Sequence, residues 1–247
     1  MTMFAPWLLA LAQSAGSPPP PPPPSPQPVT PAPQSPAPAD PARLSFPAGT
    51  SGLVLVAKHT AAARELGMIF ERREVAKEYL ALVRGWPEPD VWECSAPILR
   101  AGDIAPSDIW VRQTVHPNGK PCHTRFQVER RFERGEERFA LVRCHPETGR
   151  MHQIRVHLAH AGFPIVGDKI YSGNGSDYLA WMADGWTPDL EKRLLLPRHA
   201  LHAARLTLPW RGTTLDWHAP LSPDLADFLA GNPVGQTPGV VIWSRHD

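Results

Sequence analysis

The chain has 247 residues, a length that accommodates one domain of ordinary size together with a tail. Hydrophobic residues make up 42%, enough for a core, and a formal net charge of +1 neither indicates nor excludes an RNA partner. The three cysteines are widely spaced and form no Cys-x-x-Cys pair, which excludes a disulfide framework and a zinc ribbon and favours a reducing, cytoplasmic compartment. No stretch approaches the roughly 18 to 20 apolar residues of a membrane span, so we expect no membrane partner.

The N-terminal region is rich in proline and almost free of charge. Fourteen of the 24 residues from Pro18 to Pro41 are proline, and residues 1–39 contain no charged side chain. Proline fixes φ and removes a backbone donor, so this stretch is expected to be extended and solvated. We predict a disordered tail over residues 1–44, because it buries too little apolar surface to offset the entropy cost of ordering.

Regular structure is predicted from about Thr50 onward. Several segments have the apolar or alternating pattern of strands, and two pairs of them are joined by glycine-containing turns. They are a buried strand at 53–57, a strand at 79–83, a hairpin of 126–132 with 138–144, and a hairpin of 206–208 with 214–217. Three helices are predicted, which are Thr60 (as N-cap) to about Arg72, residues 152–161, and a last helix opened by Ser222-Pro223-Asp224 and closed by Gly231. This order indicates an α+β fold on a largely antiparallel sheet.

The most informative segment is 148–160, which reads Thr-Gly-Arg-Met-His-Gln-Ile-Arg-Val-His-Leu-Ala-His. On a helix, Ile154 and Leu158 form an apolar side, and Arg155 borders it. An arginine in that position must bind a carboxylate, a phosphate or solvent, because an unpaired buried charge is too costly. A solvated surface helix is the alternative interpretation of the same pattern.

The charges around this segment favour phosphate binding without requiring it. Between Arg112 and His157 there are ten lysines and arginines against five glutamates. Such an excess can bind phosphates, although a solvated charged surface has the same composition.

A cluster of histidines in the same region leaves a second functional class open, that of a metal-dependent hydrolase. The four histidines are His145, His152, His157 and His160. Their spacing does not reproduce the His-Glu-x-x-His motif of zinc hydrolases, and no glutamate lies between His152 and His157. We therefore predict no metal site.

Five sequence strings occur in a fixed order along the chain. They are TSGLVLVAK at 50–58, KEYLALVRG at 77–85, GKPCHT at 119–124, TGRMHQIRVH at 148–157 followed by GFPIVGDKIY at 162–171, and LHAARL at 201–206. In sequence and order they resemble the motifs of the RluA-type RNA pseudouridine synthases. The resemblance extends from about Thr50 to Gly231.

The resemblance implies a fold and a reaction. The fold would be the α+β pseudouridine synthase catalytic fold, a mixed, mainly antiparallel sheet with a central RNA-binding cleft, here truncated at its N-terminal side. The enzyme would be an isomerase that converts a specific uridine of rRNA or tRNA to pseudouridine. It would break the bond between N1 of uracil and the ribose, turn the freed base and rejoin it through C5. No cofactor would be required. The base must leave its stack, so a basic surface, an aromatic platform and a pocket are needed. We expect a cytoplasmic monomer with RNA as its partner, with the synthase domain over 45–231 and a C-terminal tail over 232–247.

The family pattern assigns Tyr79 and Arg155 to catalysis. Tyr79 would stack on the flipped base and take part in proton removal at C5, and Arg155 would orient a catalytic aspartate and favour its ionised form. Further residues are expected to contact the substrate or RNA. These are Lys77, Lys120, Thr124, Arg150, His152 and Gln153.

One departure from the family pattern concerns the catalytic aspartate itself. The family has His-Arg-Leu-Asp before Thr-Ser-Gly, with two residues between the aspartate and the threonine. Pro47 stands at that position here, and aligning Arg43-Leu44 instead places Ser45 there. The strand pair that precedes this loop in the family is replaced by proline-rich sequence.

Three explanations are open. The reading frame upstream of about Thr50 is wrong, or the protein keeps the RNA-binding surface without catalysis, or another carboxylate replaces the aspartate, with Asp40 the nearest in sequence. Under the first two, the chain as given makes little or no pseudouridine. Arg155 would then lack its carboxylate partner and face empty or water-filled space.

Overall fold

A computed structural model describes residues 49–233, so the predicted tail over 1–44, residues 45–48 and the last fourteen residues lie outside the described part. The described strands are β1 (Ser51–Gly52), β2 (Ala76–Arg84), β3 (Val91–Cys94), β4 (Ile98–Arg100), β5 (Gln113–Val115), β6 (Thr124–Arg134), β7 (Glu137–Pro146), β8 (Leu201–Trp210) and β9 (Thr213–His218). The described helices are α1 (Thr60–Glu71), α2 (Gln153–His160), α3 (Ser176–Asp184), α4 (Pro188–Leu194) and α5 (Pro223–Ala230).

The main sheet has the strand order β1-β8-β2-β7-β6-β3. Strand β9 pairs with β8 along the same edge as β1, further along the strand. Every pairing in it is antiparallel except that of β1 with β8, and β4 and β5 form a separate antiparallel pair. The predicted α+β class with a mainly antiparallel sheet is therefore confirmed. Both predicted hairpins are present, as β6–β7 and β8–β9.

The core lies between the sheet and two of the helices. Ile154 and Leu158 of α2 and Leu225 and Phe228 of α5 belong to one buried cluster with the central residues of β2, β6 and β7. The apolar side predicted for α2 from Ile154 and Leu158 is therefore buried. No helix among residues 49–233 is long and apolar enough to cross a bilayer.

The strand predicted at 53–57 is the clearest error of the sequence analysis. The structure ends the strand at Gly52, and the following residues are covered on one side only. Leu53 and Leu55 pack against a cluster that α1, β8 and β9 form together, whereas Val54 and Val56 are 48% and 41% exposed. A continuous apolar run does not reveal whether both faces or one face of a segment are covered, which is why the prediction was wrong.

The connection between α2 and β8 contains two helices that the sequence analysis did not predict, α3 and α4. For α4 a local signal was present, because the Thr187 hydroxyl accepts a hydrogen bond from the Leu190 N–H and Pro188 occupies the first turn. Threonine before proline is a common way to start a helix. At α1 the structure places Thr60 inside the helix and His59 at the N-cap.

Candidate active site

A buried ion pair between Arg155 and Asp168 forms the centre of the site. The Arg155 Nε donates to Oδ2 of Asp168 and Nη2 donates to Oδ1, each at 2.7 Å. The two side chains are 10% and 0% exposed. The expectation that Arg155 lacks a carboxylate partner is therefore wrong: a carboxylate from the loop after α2 binds it, so this buried arginine is charge-compensated.

The backbone around Asp168 explains why this carboxylate is ionised. Its Oδ1 also accepts from the N–H groups of Ile170 and Tyr171. Burial acts to raise the pKa of Asp168, but Arg155 and the N–H donors outweigh it and lower the pKa to about 2. The turn before it requires Gly167, which has φ 75° and whose Cβ, if present, would lie 2.0 Å from the Arg198 carbonyl oxygen.

Aromatic and histidine side chains surround the pair. The Tyr171 ring centroid lies 4.9 Å from Cζ of Arg155, and the Tyr171 hydroxyl lies 2.8 Å from Nδ1 of His152. Burial lowers the pKa of His152 to about 3, and Arg155 adds to this effect. The pKa of His199 is likewise lowered by burial and by Arg155. Both rings are therefore neutral at neutral pH.

The described chain begins beside this cluster. The Thr50 hydroxyl lies 2.9 Å from Nε2 of His199, and a Cβ on Gly49 would lie 2.6 Å from Cε1 of the same ring. The hydroxyl of the next residue, Ser51, lies 3.0 Å from Nδ1 of His202. The other ring nitrogen of His202, Nε2, lies 3.3 Å from the Ala219 carbonyl oxygen. These contacts hold the start of β1 at the edge of the Arg155 site.

Tyr79 lies on β2, one strand further into the sheet. The β2–β8 pairing shifts register between Glu78 and Tyr79, so that Tyr79 lies opposite Ala203. Such bulges re-aim a side chain and are frequent beside active sites. On the edge of β8 that faces away from β2, the Ala203 carbonyl oxygen accepts a hydrogen bond from the Leu53 N–H. The backbones of Tyr79 and of the start of β1 are therefore two strand spacings apart, about 10 Å.

The Tyr79 side chain is half-buried, with its ring packed against the main core. Burial raises its pKa to about 12, so the side chain is a neutral phenol at neutral pH. Among residues 49–233, the Tyr79 hydroxyl has no hydrogen-bond partner. It is also absent from the polar side-chain atoms that are both buried and unpartnered, so its oxygen is accessible. The phenol oxygen is therefore available to a ligand.

Comparison with known proteins identifies the family. Residues 48–160 match the family described as RNA pseudouridylate synthase. Over 182 residues, 73% of this chain, the sequence is 38% identical to ribosomal large subunit pseudouridine synthase C of Pasteurella multocida and 39% identical to ribosomal large subunit pseudouridine synthase D of Nitrosomonas europaea. The chain belongs to the RNA pseudouridylate synthase family. It spans about half the length of these relatives, 50% and 47%.

Solved structures of pseudouridylate synthase domains have the same fold. Human RNA Pseudouridylate Synthase Domain Containing 1 is 26% identical with a TM-score of 0.54, and the match covers 75% of this chain and 69% of that one. Human RNA Pseudouridylate Synthase Domain Containing 4 is 26% identical with a TM-score of 0.52, and the match covers 70% of this chain and 68% of that one. The fold that the sequence motifs implied is thus confirmed.

Two of the predicted RNA contacts are interior residues. Thr124 and Gln153 are 0% and 4% exposed. The Gln153 amide donates to Oγ1 of Thr124 and to the His123 carbonyl oxygen, and its Oε1 accepts from the Thr148 hydroxyl. Because these polar groups bind protein atoms, they hold the 148–150 turn, and their contact with RNA stays a prediction.

Three predicted cationic contacts lie around that same turn. Nζ of Lys77 lies close to the turn, because a Cβ built on Gly149 would be 3.9 Å from it. Burial lowers the pKa of Lys77, and Arg73 adds to this effect. Arg150 directs its guanidinium at the Pro121 carbonyl oxygen, which places it next to the exposed Lys120. These side chains surround the 148–150 turn with positive charge.

The four histidines considered as metal ligands have separate surroundings. His157 lies against Thr124 and the Ala96 carbonyl oxygen, whereas His152 lies against Tyr171. Within residues 49–233, no group of three or more histidine, cysteine or acidic side chains is placed to hold a metal ion.

Asp168 is the site residue that sequence reasoning missed. It lies inside the string GFPIVGDKIY, which was matched to the family as a motif without a role for its one acidic residue. The signal that could have found it is chemical: a carboxylate was one of the partners open to Arg155, and Asp168 is the first carboxylate after it in the chain.

Proposed function

We propose that this chain is an RNA pseudouridine synthase domain that acts on ribosomal RNA, and that its isomerisation step needs a carboxylate that residues 49–233 do not supply. Arg155 is the observation that supports this most. Within the described residues it donates hydrogen bonds to Asp168 alone, through the Nε and Nη2 edge. The Nη1 edge remains available to a second anionic group, and the family resemblance implies that this group is the catalytic aspartate.

Asp168 itself is not a replacement for that aspartate. It is 0% exposed, and both of its oxygens accept hydrogen bonds from Arg155. A nucleophile or base must reach the substrate, so Asp168 is a positioning residue. The reacting carboxylate would have to come from the chain before Thr50, where Pro47 stands in the family's position.

Tyr79 is proposed to hold the flipped uracil and to take part in moving the C5 proton. Its ring supplies a stacking surface, and its hydroxyl has no protein partner in the described part of the chain. Because its pKa is raised to about 12, the phenol can accept the C5 proton only while passing its own proton to another acceptor. A carboxylate near Arg155 is suited to that role, which makes the two groups interdependent.

The basic surface around the 148–150 turn is proposed to hold the RNA backbone. Lys77, Lys120 and Arg150 are positioned to neutralise phosphates, which would make affinity fall with salt concentration. His152 would contact RNA only as a neutral ring, since its pKa is lowered to about 3. The proposal extends to three finer points. The chain would be cytoplasmic and monomeric, and tRNA is the alternative substrate to rRNA.

The test measures RNA binding and pseudouridine formation separately, with a large-subunit rRNA transcript and the full chain. We expect salt-sensitive, roughly micromolar binding and little or no pseudouridine by mass spectrometry. Tyr79→Phe should leave binding within about 2-fold and abolish any residual turnover, while Tyr178→Phe, a half-buried tyrosine elsewhere, should change neither.

Two results would contradict the proposal in different ways. Rapid turnover by the chain as given would show that a carboxylate outside residues 49–233 does replace the family's aspartate. Absence of specific rRNA binding would remove the assignment to rRNA altogether.

A further inference from the structure

Helix α3 carries an exposed apolar surface. Leu179, Trp181 and Met182 are 40%, 38% and 61% exposed, and none of the nine residues of Ser176–Asp184 is buried. A single exposed apolar side chain is ordinary on a protein surface, but three large ones within four residues form a patch. Such patches mark sites where another polypeptide or ligand binds.

Tryptophan rings make this surface aromatic. The Trp181 ring centroid lies 6.0 Å from that of Tyr178. Because Nζ of Lys169 lies 5.0 Å from the Trp181 centroid and 5.3 Å from the Trp186 centroid, the two tryptophan rings are no more than about 10 Å apart. We call the exposed side chains of α3 together with Trp186 the aromatic surface.

The charge of this region does not suit RNA. From Ser176 to Leu194, through α3 and α4, the sequence has four acidic residues against two basic ones. A surface that holds phosphates needs an excess of lysine and arginine. Residues 1–39 contain no charged side chain, so the acidic groups would not repel that part of the chain. An uncharged polypeptide therefore fits the aromatic surface better than a nucleic acid does.

The chain contains a segment of the kind that binds aromatic surfaces. Residues 28–42 consist of three five-residue repeats, which read PVTPA, PQSPA and PADPA. A polyproline II helix has three residues per turn, so the two prolines of each repeat would lie on one side of it, about 9 Å apart. Aromatic grooves bind Pro-x-x-Pro segments in this conformation. The 9 Å spacing is compatible with the separation of the two tryptophan rings.

The described chain begins close to the aromatic surface. The Thr50 hydroxyl lies 2.9 Å from Nε2 of His199. Two residues before that histidine, the Pro197 carbonyl oxygen accepts a hydrogen bond from Nζ of Lys169, the atom next to both tryptophan rings. Only residues 43–48 separate the last repeat from the described part, and six residues span up to about 20 Å. The repeats are therefore within reach of the aromatic surface.

We propose that the repeats over residues 28–42 dock on the aromatic surface of the same chain. Prolines of the repeats pack on Trp181 and Trp186, and Leu179 and Met182 extend the contact along α3. A proline-rich segment already favours the polyproline II conformation, so docking costs less conformational entropy than ordering a segment of average composition. This inference does not depend on the proposed function.

The test measures how fast hydrogen peroxide oxidises Met182 in the full chain, by mass spectrometry of its peptides. A methionine sulfur that another segment covers reacts slowly. Met68 on α1 is 40% exposed and serves as the internal reference. The repeat variant has serine in place of Pro28, Pro31, Pro33, Pro36, Pro38 and Pro41. The control variant has serine in place of the six prolines from Pro18 to Pro23.

We expect Met182 to be oxidised more slowly in the unmodified chain and in the control variant than in the repeat variant. A tethered segment has an effective concentration on the order of 1 mM. With a dissociation constant of about 0.25 mM, the surface is covered about four-fifths of the time, and oxidation slows about 5-fold. Oxidation of Met68 should be the same in all three proteins.

A second pair of variants identifies the surface that the repeats contact. Trp181→Ala should remove the protection of Met182 in the unmodified chain and change nothing further in the repeat variant, because the two substitutions disrupt one contact. The matched control is Trp110→Ala, since Trp110 is 75% exposed between β4 and β5. That variant should retain the protection.

Three outcomes would overturn the inference. Equal oxidation of Met182 in the unmodified chain and the repeat variant would show that the repeats do not cover it. Protection lost in the control variant would assign the contact to the prolines from Pro18 to Pro23. Protection that grows with protein concentration would show that a second copy of the chain covers the surface. Each of these results leaves the proposed function standing, since none of them measures RNA.

Discussion

Replacing Asp168 with asparagine tests the buried ion pair of the site directly. Asparagine has nearly the size of aspartate and retains an oxygen for the N–H groups of Ile170 and Tyr171, so the substitution removes mainly the charge. Arg155 would remain charged in a site where its side chain is 10% exposed. Removing one partner of a buried pair costs about 3–5 kcal/mol, because the other charge is left uncompensated.

We expect Asp168→Asn to lower the free energy of unfolding by about 3 kcal/mol, the lower part of that range, because asparagine can still accept one hydrogen bond from Arg155. In a domain of this size, such a loss corresponds to a fall in Tm of about 10 °C. Urea unfolding followed by tryptophan fluorescence, with calorimetry for Tm, measures both quantities.

The control is Asp90→Asn, which makes the same chemical change in an exposed pair. Asp90 accepts from Nη1 of Arg131 at 2.7 Å, and its side chain is 79% exposed. We expect that variant to lose less than about 1 kcal/mol. A loss for Asp168→Asn as small as that of Asp90→Asn would refute the conclusion that a buried charge pair holds Arg155.

Two further predictions concern stability. His152 and His199 have folded-state pKa values below the ordinary 6.5, so the unfolded chain takes up their protons first as pH falls. Their contribution to stability is complete above pH 6.5 and is lost below it, for His152 as pH falls toward about 3. The loss is up to roughly 1.4 kcal/mol per pH unit for each ring, and urea unfolding at pH 7 and pH 5 measures it. Equal stability at both pH values would contradict the burial of the neutral rings. Gly52→Ala should destabilise by about 2 kcal/mol or more, since Gly52 has φ 97° and a Cβ there would lie 2.2 Å from the Ala203 carbonyl oxygen; Gly135→Ala, with φ 60° and open space around it, isolates the backbone strain and should cost about 1 kcal/mol.

Local sequence patterns predicted α2, α5 and both hairpins, because the residues that start, end and turn these elements lie close to them in the chain. The last helix is an example: Ser222, Pro223 and Gly231 mark its ends, and Leu225 and Phe228 mark its buried side. Each of these signals depends on the chain's own φ preferences and on helical periodicity, which do not require a partner element.

Long-range contacts account for what local patterns missed. Thr124 and Gln153 belong to matched motifs, but only the packing of α2 against β6 shows that their polar groups bind one another. The sequence strings indicated which residues matter for the family and not which of them face solvent. Burial is a property of neighbours from other parts of the chain.

The family, the α+β class and the need of Arg155 for a carboxylate, a phosphate or solvent could be predicted from the sequence alone, because motif order, periodicity and the cost of an unpaired buried charge are readable without coordinates. Only the tertiary structure decided which partner that is. The loop after α2 brings the Asp168 carboxylate to the Nε and Nη2 edge of Arg155, and this depends on the close approach of Gly167 to the Arg198 carbonyl oxygen in the segment before β8. The path of the chain between α2 and β8 determines that Arg155 meets Asp168, and no pattern of neighbouring residues encodes that path. The pairing of Arg155 with Asp168 is therefore visible only in the fold.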